Sequence, residues 1–228
     1  MTAPAWSAFV TGMLPSRHGL LSWQMPMGPG GTRRWVNARD LAVPTLWRRL
    51  SEAGQRVGVV NMPLSYPPEP VNGALIAGML TPSTDSPFTY PADVRTALLR
   101  AVPDYRPDVE MQETERNLRT PEGITAFLDE VRVSIAHREA AFDVIWRRGS
   151  YDLVFIMFEA ADRLQHPLWQ YARGLPAPGV EANATWRQTR MAVVDVLARL
   201  DVALQRLLTF CDENTTVIAY DDQEAMAG

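Results

Sequence analysis

Short apolar runs alternate with longer amphipathic stretches along the chain. Val57-Gly-Val-Val-Asn61, Asp152-Leu-Val-Phe-Ile-Met-Phe158 and Thr215-Thr-Val-Ile-Ala-Tyr220 are rich in β-branched and aromatic residues and read as strands. Residues 44–55, 91–100, 121–148 and 183–210 read as helices. Each of the first three opens with a proline, whose missing N–H costs nothing in a first turn. Alternation of this kind predicts an α/β fold, a mostly parallel sheet flanked by helices on both faces. In the last helix Met191, Val194, Leu197, Leu200, Leu204 and Leu208 recur at three- and four-residue spacing, a stripe expected to lie on the sheet as core.

Two stretches break the alternation. Residues 24–31 are crowded with Pro, Gly and Met, and residues 61–93 carry prolines at 63, 67, 68, 70, 82, 87 and 91. Proline at that density prevents regular helix and limits strand to sheet edges, so both stretches are expected to be long ordered loops that build a substrate site.

Composition narrows the function classes. At 228 residues and 46% hydrophobic content, the default is one α/β core spanning 1–228, with the proline-rich loop region 61–93 set into it. The 22 basic against 26 acidic side chains, without a run of either sign, argue against a nucleic-acid polymer as partner. No apolar span is long enough to cross a bilayer, so no membrane partner is expected. The lone Cys211 cannot form an intramolecular disulfide, and a reducing cytoplasm is the expected home. Oligomeric state is not legible.

Three motifs carry candidate chemistry. In Thr2-Ala-Pro-Ala-Trp-Ser-Ala-Phe-Val-Thr-Gly12, Pro4 opens a short helix and Gly12 helps to end it, which puts Thr2 at or near the N-cap. An oxygen there meets free backbone N–H groups and the positive end of the helix dipole, as an alkoxide or phosphate requires. Thr is also an ordinary N-cap residue, so the local sequence leaves both readings open. In the second motif Asp162 and His166 follow the apolar run 152–158, just beyond the carboxyl end of a strand. If the segment is helical, i,i+4 spacing puts carboxylate and imidazole on one face, able to grip one divalent ion, zinc or manganese rather than magnesium or calcium. A surface Asp–His pair is the alternative. The third motif ends the run 215–220 with Asp221 and Asp222, adjacent carboxylates that repel unless a cation or a basic group lies between them. Ordinary surface acids have the same pattern.

The order of these motifs resembles the type I phosphodiesterase and nucleotide pyrophosphatase branch of the alkaline phosphatase superfamily. Tyr66-Pro-Pro-Glu-Pro-Val-Asn-Gly73, Gly78-Met-Leu-Thr-Pro82 and Phe88-Thr-Tyr-Pro91 resemble the same branch, so the likeness runs through nearly the whole chain. The resemblance implies an alkaline-phosphatase-like fold, a small phosphate ester as substrate and two divalent ions, zinc or manganese. It makes Thr2 the nucleophile, assigns Asp162 and His166 to one ion, and assigns Asp221 to the other. It also implies one Asp ligand upstream of the nucleophile and one His ligand downstream of the last motif, neither of which lies between Met1 and Gly228; the expectation is a core truncated at both ends. Where the family reads Asp-His, this sequence has Asp221-Asp222. His18, in a Pro-x-x-His-Gly turn, matches a family position and is expected to be structural, and His137 is expected on a helix surface or in the core.

The chemistry implied is in-line displacement at phosphorus through a phosphothreonine intermediate, with weak or no metal binding and little turnover expected of this chain as written. Two further readings stay open: a phosphomonoesterase or phosphonate-cleaving relative, and an inactive remnant or binding module on the same scaffold.

Overall fold

The structure is a computed structural model that describes residues 3–27, 31–107 and 118–220. The chain divides into two compact units, residues 1–108 with 140–157 and residues 109–139 with 158–228.

The first unit is built on a four-stranded sheet in the order β5-β4-β3-β6, with β3 Val57–Val60, β4 Gly73–Ile76, β5 Thr89–Tyr90 and β6 Leu153–Ile156. Strand β3 pairs in parallel with both β4 and β6, and only β5 runs antiparallel. The register puts Val59 level with Leu75 and Phe155, and Gly58 level with Ala74 and Val154. Because side chains alternate across a strand, these two rows face opposite ways. Phe155 packs edge-on against Phe9 of α1 (Ala3–Thr11) and Trp47 of α3 (Leu46–Glu52). A Cβ added at Gly58 would meet the Ile145 side chain at 3.0 Å, so the end of helix α5 (Pro121–Trp146) covers the other face. Helices therefore flank the sheet on both faces, as the alternation predicts. Helices α2 (Pro15–His18) and α4 (Asp93–Ala101), a 3-10 turn at Ala38–Asp40 and an antiparallel pair of β1 Gln24–Pro26 and β2 Arg33–Trp35 complete the described elements of this unit.

Its core is apolar at every residue of β3 and at Ala74, Leu75 and Ile76. Trp47 is fully buried, and its one polar atom is satisfied: Trp47 Nε1–H and the Thr45 hydroxyl both donate to Glu69 Oε1, each at 2.6 Å. The loops leaving the carboxyl ends of β3 and β4 approach backbone to backbone. A Cβ at Gly78 would fall 2.4 Å from the Asn61 carbonyl, a contact only glycine avoids.

The second unit is helical among its described residues. Phe127, Leu128, Val131 and Ile135 of α5 meet Ala160, Leu164 and Leu168 of α6 (Ala160–Arg173) and Val193, Val196 and Ala203 of α7 (Ala184–Leu208). Asn183 caps α7, its side chain accepting from the Trp186 N–H.

Four expectations are corrected. Residues 215–220 form no strand: they are irregular and exposed, Ile218 at 86%, and among the described residues no strand pairs with them to give the ladder that holds an extended chain in a sheet. Strand β6 is half-buried at the edge of the sheet rather than buried within it. The stripe in α7 faces the core only in part. Leu197 and Leu200 pack against the helical core, but Met191, Val194, Leu204 and Leu208 are exposed, and the fully buried row is Val193, Val196 and Ala203, because two apolar stripes share this helix and periodicity alone does not choose between them. The two proline-rich stretches contain strands where proline is absent or harmless: Gly73-Ala-Leu-Ile76 is proline-free, and Pro26 ends a two-stranded ladder.

Replacing Gly78 with Ala is expected to lower unfolding stability by about 3 kcal/mol, since the Asn61 backbone must move to admit the methyl group. Urea denaturation measures it, and a loss under ~1 kcal/mol would contradict the close approach.

Candidate functional site

After β6 the chain passes through Met157, Phe158 and Glu159 and enters α6 at Ala160. Asp162 falls in the first turn, where a carboxylate is favoured by the helix dipole. His166 follows one turn later. Its Nε2 lies 3.3 Å from Asp162 Oδ1, with the imidazole 68% and the carboxylate 29% exposed. Carboxylate and imidazole thus share one helix face and converge on one point, as i,i+4 spacing dictates. Oxygen and nitrogen donors at this separation fit a single divalent ion as two of its ligands. Among the described residues no group of three or more His, Cys, Asp or Glu side chains is placed to hold a metal.

The helix is interrupted directly beyond the pair. Pro167 has no N–H for the α-helical ladder, and Leu168 departs to φ −118°, ψ 19°. Gly174, at φ 72°, ends it with an N–H bonded back to the last turn.

Glu159 was not among the sequence candidates. It occupies the N-cap of α6, yet its carboxylate caps no N–H there. It turns instead to Arg138 of α5, which donates Nη2–H to Oε1 at 2.6 Å and Nε–H to Oε2 at 3.2 Å. The Arg138 side chain is 1% exposed and that of Glu159 11%, so this is a buried bidentate pair. The available signal was periodicity: Arg138 continues the row Phe127, Val131, Ile135 toward Phe142 and Ile145, where an apolar residue is expected. A charged side chain in that row needs a buried partner.

Of the remaining candidates, Thr2, Asp221 and Asp222 lie outside the described residues. The helix that follows Thr2 in sequence is present: α1 begins at Ala3, buries Trp6 and Val10, and ends before Gly12 at φ 66°. His18 is fully buried, and its Nδ1 accepts the Leu20 N–H at 3.2 Å. Burial holds its pKa below the usual histidine value, opposed only by the Pro4 carbonyl. His137 is buried on α5. No described helix is long and apolar enough to cross a membrane.

Residues 1–222 match the family described as type I phosphodiesterase / nucleotide pyrophosphatase, and the chain belongs to that family. A crystal structure of phosphonoacetate hydrolase from Sinorhizobium meliloti 1021 in complex with phosphonoacetate is similar at 17% identity and a TM-score of 0.37, over 88% of this chain and 42% of that one. The chain thus spans less than half the length of that structure. No curated protein matches it.

The depressed pKa of His18 fixes a pH dependence. The unfolded chain binds a proton at this residue more readily than the folded one, so the stability His18 contributes is fully present above the ordinary value of 6.5 and is lost as pH falls below it. The difference in unfolding free energy between the wild type and His18→Gln is expected to shrink between pH 7.5 and 5.5 in urea titrations; a difference that grows would refute the assignment.

Proposed function

We propose that this chain carries the core of a metal-dependent phosphoric ester hydrolase of the phosphodiesterase and nucleotide pyrophosphatase type. Thr2 is the nucleophile, Asp162 and His166 hold one divalent ion, and Asp221, with Asp222 beside it, serves a second. The carrying observation is the Asp162–His166 pair, 3.3 Å apart on one face of α6, in a chain whose family membership covers residues 1–222.

Each residue has a defined task. Thr2 immediately precedes α1 in the sequence, and the free N–H groups of a helix start favour an anion. Its hydroxyl oxygen attacks phosphorus in line with the departing ester oxygen; the new bond is Thr2 Oγ1–P, and the alcohol or nucleotide portion leaves. Water then attacks the phosphothreonine, restores the hydroxyl and releases the phosphate product. Divalent ions, when bound, supply the charge that makes a threonine hydroxyl acidic enough near neutral pH and that offsets negative charge on the leaving oxygen. Asp162 and His166 supply one anionic and one neutral donor to that charge. The substrate is a small phosphate ester.

A second reading has one specific observation behind it. Asp222 stands where the family's Asp-His motif has histidine, which favours a non-catalytic scaffold or binding module.

Incubation with Mn2+ or Zn2+ and bis(p-nitrophenyl) phosphate is expected to release nitrophenolate slowly. Thr2→Ala and EDTA are each expected to abolish that slow release. Faster turnover of p-nitrophenyl phosphate or of a phosphonate would move the reading to a monoesterase or phosphonate-cleaving enzyme. No turnover of any of the three, with no saturable metal binding, would favour the scaffold.

A further inference from the structure

We infer that the buried Arg138–Glu159 pair is a positioning device that sets the first turn of α6, and through it the convergence of Asp162 and His166. The inference rests on the metal reading of that pair for its function, though not for its geometry.

Glu159 is held at both ends. Its main-chain carbonyl accepts the Arg163 N–H at 3.0 Å, the bond that opens α6, while its side chain is gripped by two guanidinium nitrogens of Arg138. A planar guanidinium meeting a carboxylate with two parallel bonds fixes distance and orientation together, which a single bond does not. The start of α6 is therefore registered against α5 at one point. Asp162 lies three residues on and His166 one further turn on, so both inherit that register. The exposed imidazole has little packing of its own to hold it.

Local stability does not account for the pair. The Glu159 carboxylate makes no bond to the first N–H groups of α6, so helix capping does not account for its place there. Two charges are instead withdrawn from water inside a helical core that Phe127, Val131, Ile135 and Leu164 otherwise fill with hydrocarbon. Apolar replacement of a buried ion pair commonly leaves stability unchanged or raises it, so what the pair adds here is geometry. Groups behind a metal's direct ligands typically change its affinity by about 10–100-fold when removed.

Removing one partner alone strands a buried charge, so the decisive variant is the double replacement Arg138→Met with Glu159→Leu. It is expected to unfold at a urea midpoint equal to or above the wild type's, to bind Mn2+ about 10–100-fold more weakly by calorimetric titration, and to exchange the amides of residues 163–166, the first to be bonded within α6, about tenfold faster. Arg138→Lys, which keeps the charge and loses the fork, is expected to fall between the two. A double variant that binds Mn2+ like the wild type with unchanged exchange at 163–166 overturns the inference, whatever its midpoint. If the wild-type chain and Asp162→Asn both fail to bind Mn2+, the metal reading fails, and the inference is then decided by exchange alone, with unchanged protection overturning it.

Discussion

Parallel pairing of Val57–Val60 with strands on both sides is the constraint from which the first unit follows. A parallel neighbour cannot be reached by a tight turn, so the chain must cross over between β3 and β6, and that crossover brings in the last turns of α5. The central strand must also be apolar on both faces, which Val57-Gly-Val-Val60 achieves with a glycine where α5 comes closest. Parallel order further places the carboxyl ends of β3, β4 and β6 on one side, the side from which open α/β sheets present their ligands. The Asn61 amide, donating to the Met157 carbonyl at 3.1 Å, ties two of those ends together just before the chain turns toward Glu159.

The second unit answers a different constraint. Three helices bury a shared hydrocarbon seam, and within it the sequence places Arg138 and Glu159, the arrangement least expected on hydrophobic grounds. Another acid on α5, Glu139, is held by Arg199 of α7 in a salt bridge, but there the guanidinium is 39% exposed and water screens it. The contrast separates two uses of charge on neighbouring residues. Glu139 and Arg199 join helices near solvent, where an ion pair contributes little; Arg138 and Glu159 meet in the interior, where geometry is strict and a missing partner is costly.

What was legible in the sequence divides along physical lines. Where a run had one periodicity and no competitor, the element was found nearly to the residue: 121–148 against Pro121–Trp146, and 183–210 against Ala184–Leu208 with Asn183 as its cap. The Asp162–His166 pairing was legible because helix geometry alone makes it. Orientation was not. Met191-Val194-Leu197-Leu200-Leu204-Leu208 and Trp186-Val193-Val196-Ala203 are both apolar rows of α7, and the helices packed against it bury the second row and only Leu197 and Leu200 of the first. Strand β4 was hidden because the prolines flanking it dominate composition, though Gly73–Ile76 contains none. The run 215–220 had every local mark of a strand and forms none, since a strand exists only with a partner to pair with.

The same distinction bears on the site. An Asp-x-x-x-His segment on a helix needs nothing but the helix to bring its two donors within 3.3 Å. A buried guanidinium directed at the residue that begins this helix is not a consequence of helix geometry. It requires an arginine in an apolar row of α5 and a glutamate withdrawn from water at the start of α6, two locally unfavourable choices that make sense only together. The stronger structural indication that the start of α6 must be held in one place therefore comes from Arg138 and Glu159, residues with no ligand role, and the pair they support gains its meaning from them.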